Sequence, residues 1–305
     1  MNFQTCKVVI WGFKHSYNTF QHIHAAFYRA FQHLGRDVKW LDHESDLTGI
    51  DFSDTLFITV DVARLAGMPL RRDCFYMVHN LNQKAAQYLD GFKYMSYGLY
   101  VSTTQLSPQD VEVAPDGFVS VAGRSVIFRW ATDLFPDEIE ANKPTRAFRD
   151  WSHEVNFVGT YYDNVHGPFK KACEENGIKF NAIGGFSGTP PVSIEENIRL
   201  VQQSYMAPAI GDIYHSKVGY IPCRTFKNIS YGQFGITNNP YVQEFFKGKL
   251  IYNADTYKLF YDARDRLPHV TREELYNLMD YVAENHTYLN RIPVLLRGAQ
   301  MVWES

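Results

Sequence analysis

The sequence predicts an α/β protein made of two Rossmann-like domains and a set of C-terminal helices. Three observations predict it. Short apolar runs alternate with helical periodicities along most of the chain, the alternation breaks once in a polar stretch near the middle and restarts, and 305 residues suffice for two domains, since one domain takes about 150 residues. A composition of 45% hydrophobic, 21% charged and 15% aromatic residues supports packed cores and excludes a disordered chain.

Lys7–Trp11 is an apolar run ending at Gly12. Phe20, Ile23, Phe27, Phe31 and Leu34 follow at helical spacing, with Asn18 or Thr19 as cap and Gly35 as stop. Val38–Leu41 then completes a β-α-β unit, which requires a parallel pair and a right-handed crossover. Further strands are expected at Leu56–Val60, Cys74–Val78 and Leu99–Thr103. The alternating residues around Pro115, Asp116 and Gly117 signal a hairpin, and Ser125–Arg129 reads as another strand. The polar stretch Asp133–Asp150 reads as a linker, which gives an N-terminal domain of residues 1–135, a linker of 136–152 and a C-terminal domain of 153–305. Beyond it come a strand at Val155–Val158, a helix at Pro168–Asn176, a strand at Lys179–Ile183, a helix at Ile194–Gln203 and a strand at Tyr205–Ile210. Arg224–Tyr231, Phe234–Thr237, Tyr241–Phe246 and Leu250–Tyr252 continue the alternation, and helices near Thr256–Arg266, Arg272–Asn285 and Thr287–Trp303 finish the chain.

The net charge of −3, with Lys and Arg scattered, leaves no electrostatic footprint for a nucleic-acid backbone. Cys6, Cys74, Cys173 and Cys223 form no C-x-x-C pair, which argues against a zinc site and a disulfide framework. His22, His24 and His33 crowd the first helix without sharing a face suited to one metal. No apolar run approaches the roughly 18 residues a bilayer span needs and no leader pattern is visible, so a cytoplasmic protein without a transmembrane segment is expected. Gly12 stands alone where a dinucleotide fold has G-x-G-x-x-G, and no P-loop or G-x-S-x-G elbow occurs. The absence of a D-x-D triplet weighs against chemistry that relies on a carboxylate-held divalent ion. No cofactor and no metal are expected.

The chemistry concentrates at Tyr220–Gly232, a loop running into a helix near Pro222. Free N–H groups and the positive dipole end make a helix N-terminus an anion site, and Arg224 and Lys227 add two cations. A diphosphate suits such a place. Tyr220–Ile229, YIPCRTFKNI, is similar to the Y-I-x-E-K-x-x-x-N-A signature of the α1,3-fucosyltransferases, with Arg224 at the signature lysine and Asn228 at its asparagine. The segment also resembles the R-x-F-E-x-x-x-x-G pattern of group-1 and spore-coat-associated glycosyltransferases. The glutamate that contacts ribose falls on Cys223 in the first alignment and on Lys227 in the second.

This resemblance implies a GT-B glycosyltransferase, two Rossmann-like domains facing a central cleft, that moves a sugar from a nucleotide-diphosphate sugar to a hydroxyl acceptor in glycan biosynthesis. It implies donor-diphosphate contacts from Arg224, Lys227, Asn228 and Tyr220, and inversion slightly over retention. Nucleotide or sugar contacts are expected from Gly159, Thr160, Gly184, Tyr231 and Gly232. In the N-terminal domain, Asp61, His79 and His15 come directly off strands and have the chemistry of a base for the acceptor hydroxyl. A sugar-nucleotide epimerase, a phosphorylase-like enzyme and a non-catalytic nucleotide- or carbohydrate-binding protein are the alternatives.

Overall fold

The computed structural model describes residues 1–15, 19–60, 67–143, 153–184, 190 and 192–305. Asp61 and Asn18, and Gly185, which with Gly184 is expected as a glycine turn after the strand at Lys179–Ile183, lie outside the described residues. The chain forms two compact α/β units: Met1–Tyr100, Thr104–Arg129 and Tyr288–Ser305 make the first, and Val101–Thr103 and Trp130–Thr287 the second.

The first unit is built on an eight-stranded sheet. Its strands are β1 (Lys7–Trp11), β2 (Val38–Leu41), β3 (Thr55–Val60), β4 (Phe75–His79), β5 (Lys93–Leu99), β6 (Val111–Ala114), β7 (Gly117–Ser120) and β8 (Ser125–Phe128), in the order β2-β1-β3-β4-β5-β8-β7-β6. The pairs from β2 to β8 are parallel, and the hairpin β6-β7 and the pair β7-β8 are antiparallel. Strands covered on both faces must be continuously apolar. β3 and β4 are buried along their whole length, so they read in sequence as runs without alternation. Helices α1 (Thr19–His33) and α2 (Gln83–Tyr88) belong to this unit; α2, capped by Asn82, has too short an apolar stripe to be read in advance.

Two boundaries differ from expectation. The stretch 136–152 is not simply a linker, because α3 (Pro136–Asn142) packs on α10 (Arg272–Asn285) in the second unit. The last helix, α11 (Tyr288–Glu304), leaves that unit and packs against α1 and the first sheet. Its buried Ile292, Leu295, Ala299 and Val302 supply the apolar face, the Tyr288 ring meets Phe27 at 4.7 Å, and Arg291 Nε donates to the Arg129 carbonyl at 2.7 Å. The domain division of the sequence reading, with residues 153–305 as one block, is corrected by this return of the chain.

The second unit holds β9 (Glu154–Val158) paired in parallel with β10 (Lys179–Ile183), and a parallel set β11 (Pro208–Ala209), β12 (Ile236–Thr237) and β13 (Ile251–Tyr252). Tyr205 N donates to the Glu154 carbonyl at 2.7 Å, which places the segment entering β11 beside β9. The intervening helices are α4 (Asp163–Glu175), α5 (Ile194–Gln203), α6 (Ile213–Lys217), α7 (Cys223–Ser230), α8 (Pro240–Phe245) and α9 (Thr256–Arg266), followed by α10. The α4 helix starts five residues before the expected Pro168, which it carries inside. All four cysteines are free, and no helix among the described residues is long and apolar enough to cross a membrane.

Candidate functional site

Helix α7 precedes β12, so its N-terminus stands at the carboxyl edge of the second unit's strands, where open α/β sheets bind ligands. The entry is tightly set. Gly219 has φ +66°, and a Cβ there would lie 2.4 Å from Ser102 Oγ and 2.9 Å from its backbone nitrogen, while Ser102 N donates to the Val218 carbonyl. Pro222 is extended and caps the helix without a side-chain bond, one residue earlier than a first helical position. Among the described residues the amides of Cys223 and Arg224 meet no acceptor, as the first turn of a helix requires of some outside group.

Arg224 turns back over the end of β9. Its Nη2 donates to the Val158 carbonyl at 2.9 Å, and its guanidinium carbon lies 4.1 Å from the Phe157 ring centroid. Among the described residues it has no carboxylate partner. Desolvation lowers its pKa, yet a guanidinium starts so high that it stays charged. A half-buried cation with most donors uncommitted favours an anion beside it. Gly159 makes the approach possible. Its φ is +138°, and a Cβ on it would fall 1.9 Å from Arg224 Nη2.

The neighbouring loops are tied together by groups that sequence reasoning missed. The buried His166 ring packs on Phe157 at 4.5 Å and on Tyr161 at 5.3 Å, and its Nδ1 lies 3.0 Å from both the Tyr162 amide nitrogen and the Tyr162 carbonyl oxygen. A further hydrogen bond joins it to the Ile210 backbone, and burial holds its pKa below the ordinary value. It thus ties the loop after β9 to the end of β11. Asn238 exchanges hydrogen bonds with the Gly211 backbone at 3.0 and 2.9 Å, and Asn239 Nδ2 donates to the Tyr220 carbonyl at 3.1 Å while its Oδ1 caps α8. Asn238 and Asn239 directly follow an expected strand, a signal that was available. His166 gave none, because the expected helix began beyond it.

The predicted donor residues divide into two groups. Arg224, Tyr220, Gly159, Thr160 and Gly184 gather at the carboxyl edge: Gly159 N donates to the Ile183 carbonyl at 2.8 Å beside Gly184, and the half-buried Thr160 follows Gly159. Tyr220 has its hydroxyl bonded to the Trp130 indole, its pKa raised by burial, and its ring 4.8 Å from that of His215. Lys227, Asn228, Tyr231 and Gly232 do not join them. Lys227 is buried, not on an exposed face, with Nζ 2.8 Å from Asp133 Oδ2. Tyr231 is buried too and donates to Asp133 Oδ1 at 2.6 Å. Asn228 Nδ2 donates to the Ala207 carbonyl at 2.9 Å, and Gly232 closes α7 by donating to the Ile229 carbonyl. Eight helical residues span about 12 Å at 1.5 Å each, so Tyr231 and Gly232 end the helix well away from Arg224. These four hold α7 in place instead of lining the edge.

In the first unit His79 ends β4 and is buried, with Nδ1 3.0 Å from the Tyr97 carbonyl. Burial lowers its pKa, and the Nδ1 contact to a carbonyl assigns the proton to that nitrogen. His15 is exposed on the turn after β1. His24, expected as a surface or packing residue, is fully buried, bonds the Gly12 carbonyl through Nδ1 at 2.9 Å, and is held down to about 4 by desolvation. Among the described residues no group of three metal-ligating side chains forms.

No protein-family profile matches the chain, and no curated protein matches it in sequence. Among solved structures the chain is similar to T4 phage BGT, described in complex with its UDP-glucose substrate, at a TM-score of 0.46 and 11% sequence identity over 98% of each chain.

Proposed function

We propose that this protein is a glycosyltransferase of the GT-B type that transfers a sugar from a nucleotide-diphosphate sugar to a hydroxyl acceptor. The observation that carries the reading is Arg224. It is a charged guanidinium without a carboxylate partner among the described residues, set on the first turn of α7 and pressed against a glycine that cannot bear a side chain. The helix dipole, the amides of Cys223 and Arg224 and the guanidinium together supply positive potential for a departing diphosphate. That set of groups performs the leaving-group stabilisation without a metal ion, and activity is expected to persist in EDTA.

Direct displacement at the anomeric carbon also needs a base for the acceptor hydroxyl, a contribution of roughly 10²–10⁴ in rate. His79, kept neutral by burial, and His15 are the proposed bases together with Asp61. Inversion is the expected outcome of such a single displacement. A thermal-shift screen against UDP, GDP, CMP and dTDP, followed by assay of nucleoside diphosphate release from the matching sugar nucleotides, tests the proposal. A native-state ligand raises the melting temperature. Absence of any shift, or of any release with carbohydrate acceptors, would overturn it.

A further inference from the structure

Among the described residues of the second unit, three large hydrophobic side chains are exposed: Tyr162 (52%), Ile213 (73%) and Tyr214 (65%). Scattered single exposures need no explanation, but these three fall on the two loops that flank Arg224. Tyr162 closes the loop that leaves β9 through Gly159, and Ile213 and Tyr214 open α6 just after β11 and Gly211. His166 binds the Tyr162 backbone on one side and the Ile210 backbone on the other, so both loops are fixed to one another by a buried group. Asp212 caps α6 by accepting from His215 N at 3.1 Å, which holds the Ile213 and Tyr214 pair in place. Chain folding leaves these three side chains unburied although the backbone beside them is hydrogen-bonded to His166 and Asp212.

We infer that Tyr162, Ile213 and Tyr214 form an apolar platform for the nucleobase of the nucleoside diphosphate whose phosphates Arg224 holds. The inference rests on the diphosphate reading of Arg224. The base is the occupant the surroundings favour. It is planar and apolar on its faces, it is tethered to the diphosphate, and stacking on aromatic rings needs no hydrogen-bond readout. It also removes the need for the ribose carboxylate that Cys223 and Lys227 fail to supply, since stacking replaces that contact as the source of nucleoside affinity.

Titration calorimetry with UDP, GDP and inorganic pyrophosphate tests the assignment on the full chain. The variants are Tyr162→Ala, Tyr214→Ala, their combination, and Tyr162→Phe and Tyr214→Phe as controls that keep a ring. Exposed positions make all of these compatible with folding, which circular dichroism verifies. The double alanine variant is expected to bind the preferred nucleoside diphosphate about 10-fold or more weakly, as loss of base stacking predicts. Its pyrophosphate affinity should be unchanged, and the phenylalanine variants should bind normally. Arg224→Ala should weaken the nucleoside diphosphate and pyrophosphate alike. Unchanged nucleoside diphosphate affinity in the double alanine variant overturns the platform while leaving the phosphate site standing. A wild-type protein that binds none of the three probes overturns both.

Discussion

Replacing Lys227 by Met removes one member of a buried ion pair while keeping the side-chain volume. The Nζ to Oδ2 distance is 2.8 Å, both side chains are nearly excluded from water, and Asp133 also accepts from the Tyr231 hydroxyl at 2.6 Å. With the cation gone, the carboxylate loses the Lys227 counter-charge and retains the Tyr231 hydroxyl as a neutral donor. Breaking a buried pair from one side costs about 3–5 kcal/mol, far more than an exposed pair would. At roughly 2–4 °C per kcal/mol for units of this size, the second unit should melt about 6–20 °C lower. Adding Asp133→Asn removes the carboxylate charge and keeps an acceptor for Tyr231, so the double variant should recover most of the loss. Urea unfolding of the two single variants and the double variant gives the coupling energy, expected to be about 2 kcal/mol or more. UDP or GDP affinity of Lys227→Met, measured well below its melting temperature, should stay near that of the wild type. A stability change under about 1 kcal/mol together with a loss of nucleotide affinity above about 10-fold would refute the structural assignment and return Lys227 to the ligand.

Three further outcomes follow from the same geometry. Arg224→Ala should weaken nucleoside diphosphate binding by about 10- to 100-fold, the worth of charge-assisted hydrogen bonds, while thermal unfolding moves by only a few degrees; normal affinity by calorimetry would remove Arg224 from the site. Gly159→Ala places a methyl group onto Arg224 Nη2 and holds a side chain at φ +138°, so it should lose about 1–3 kcal/mol of stability and most of the nucleotide affinity. His24 is held at about 4 in the folded chain against 6.5 in the free side chain, and desolvation is the main cause. The unfolded state therefore binds the extra proton, and stability should fall by about 3 kcal/mol as pH drops from 6.5 to 4, with no further loss from this group below that. The fall should be shallower in His24→Gln; an unchanged pH profile by urea unfolding would contradict the assignment.

Much of the secondary structure was legible because its signals are local. Lys7–Trp11, Val38–Leu41, Lys179–Ile183, Ile194–Gln203, Thr256–Arg266 and Arg272–Asn285 occur with the expected bounds. Ser193, Asp255 and Thr271 cap their helices from adjacent positions, so these helices carry their start signals within a turn. The loop-to-helix element bearing Arg224 was legible for the same reason. What failed was the reading of faces. Lys227, Asn228 and Ser230 look like the solvated side of α7, but each finds a buried partner: Asp133, the Ala207 carbonyl and Thr132, the last at 2.6 Å.

By itself the sequence determined that the chain alternates strands and helices, that it does so in two successive stretches, and that a cation stands on the first turn of the helix at Tyr220–Gly232. Only the tertiary structure decided which of the cations there is committed to a carboxylate, that α11 covers the first sheet instead of the second, and that Gly159 and Arg224 meet. The difference is one of range. A strand, a cap or a helical stripe is set by residues within a few positions of one another, whereas the partner of a buried charge is chosen by desolvation, and Tyr231 reaches Asp133 across 98 residues of chain. No local pattern encodes that choice, because the same lysine is equally at home in water until the fold takes the water away.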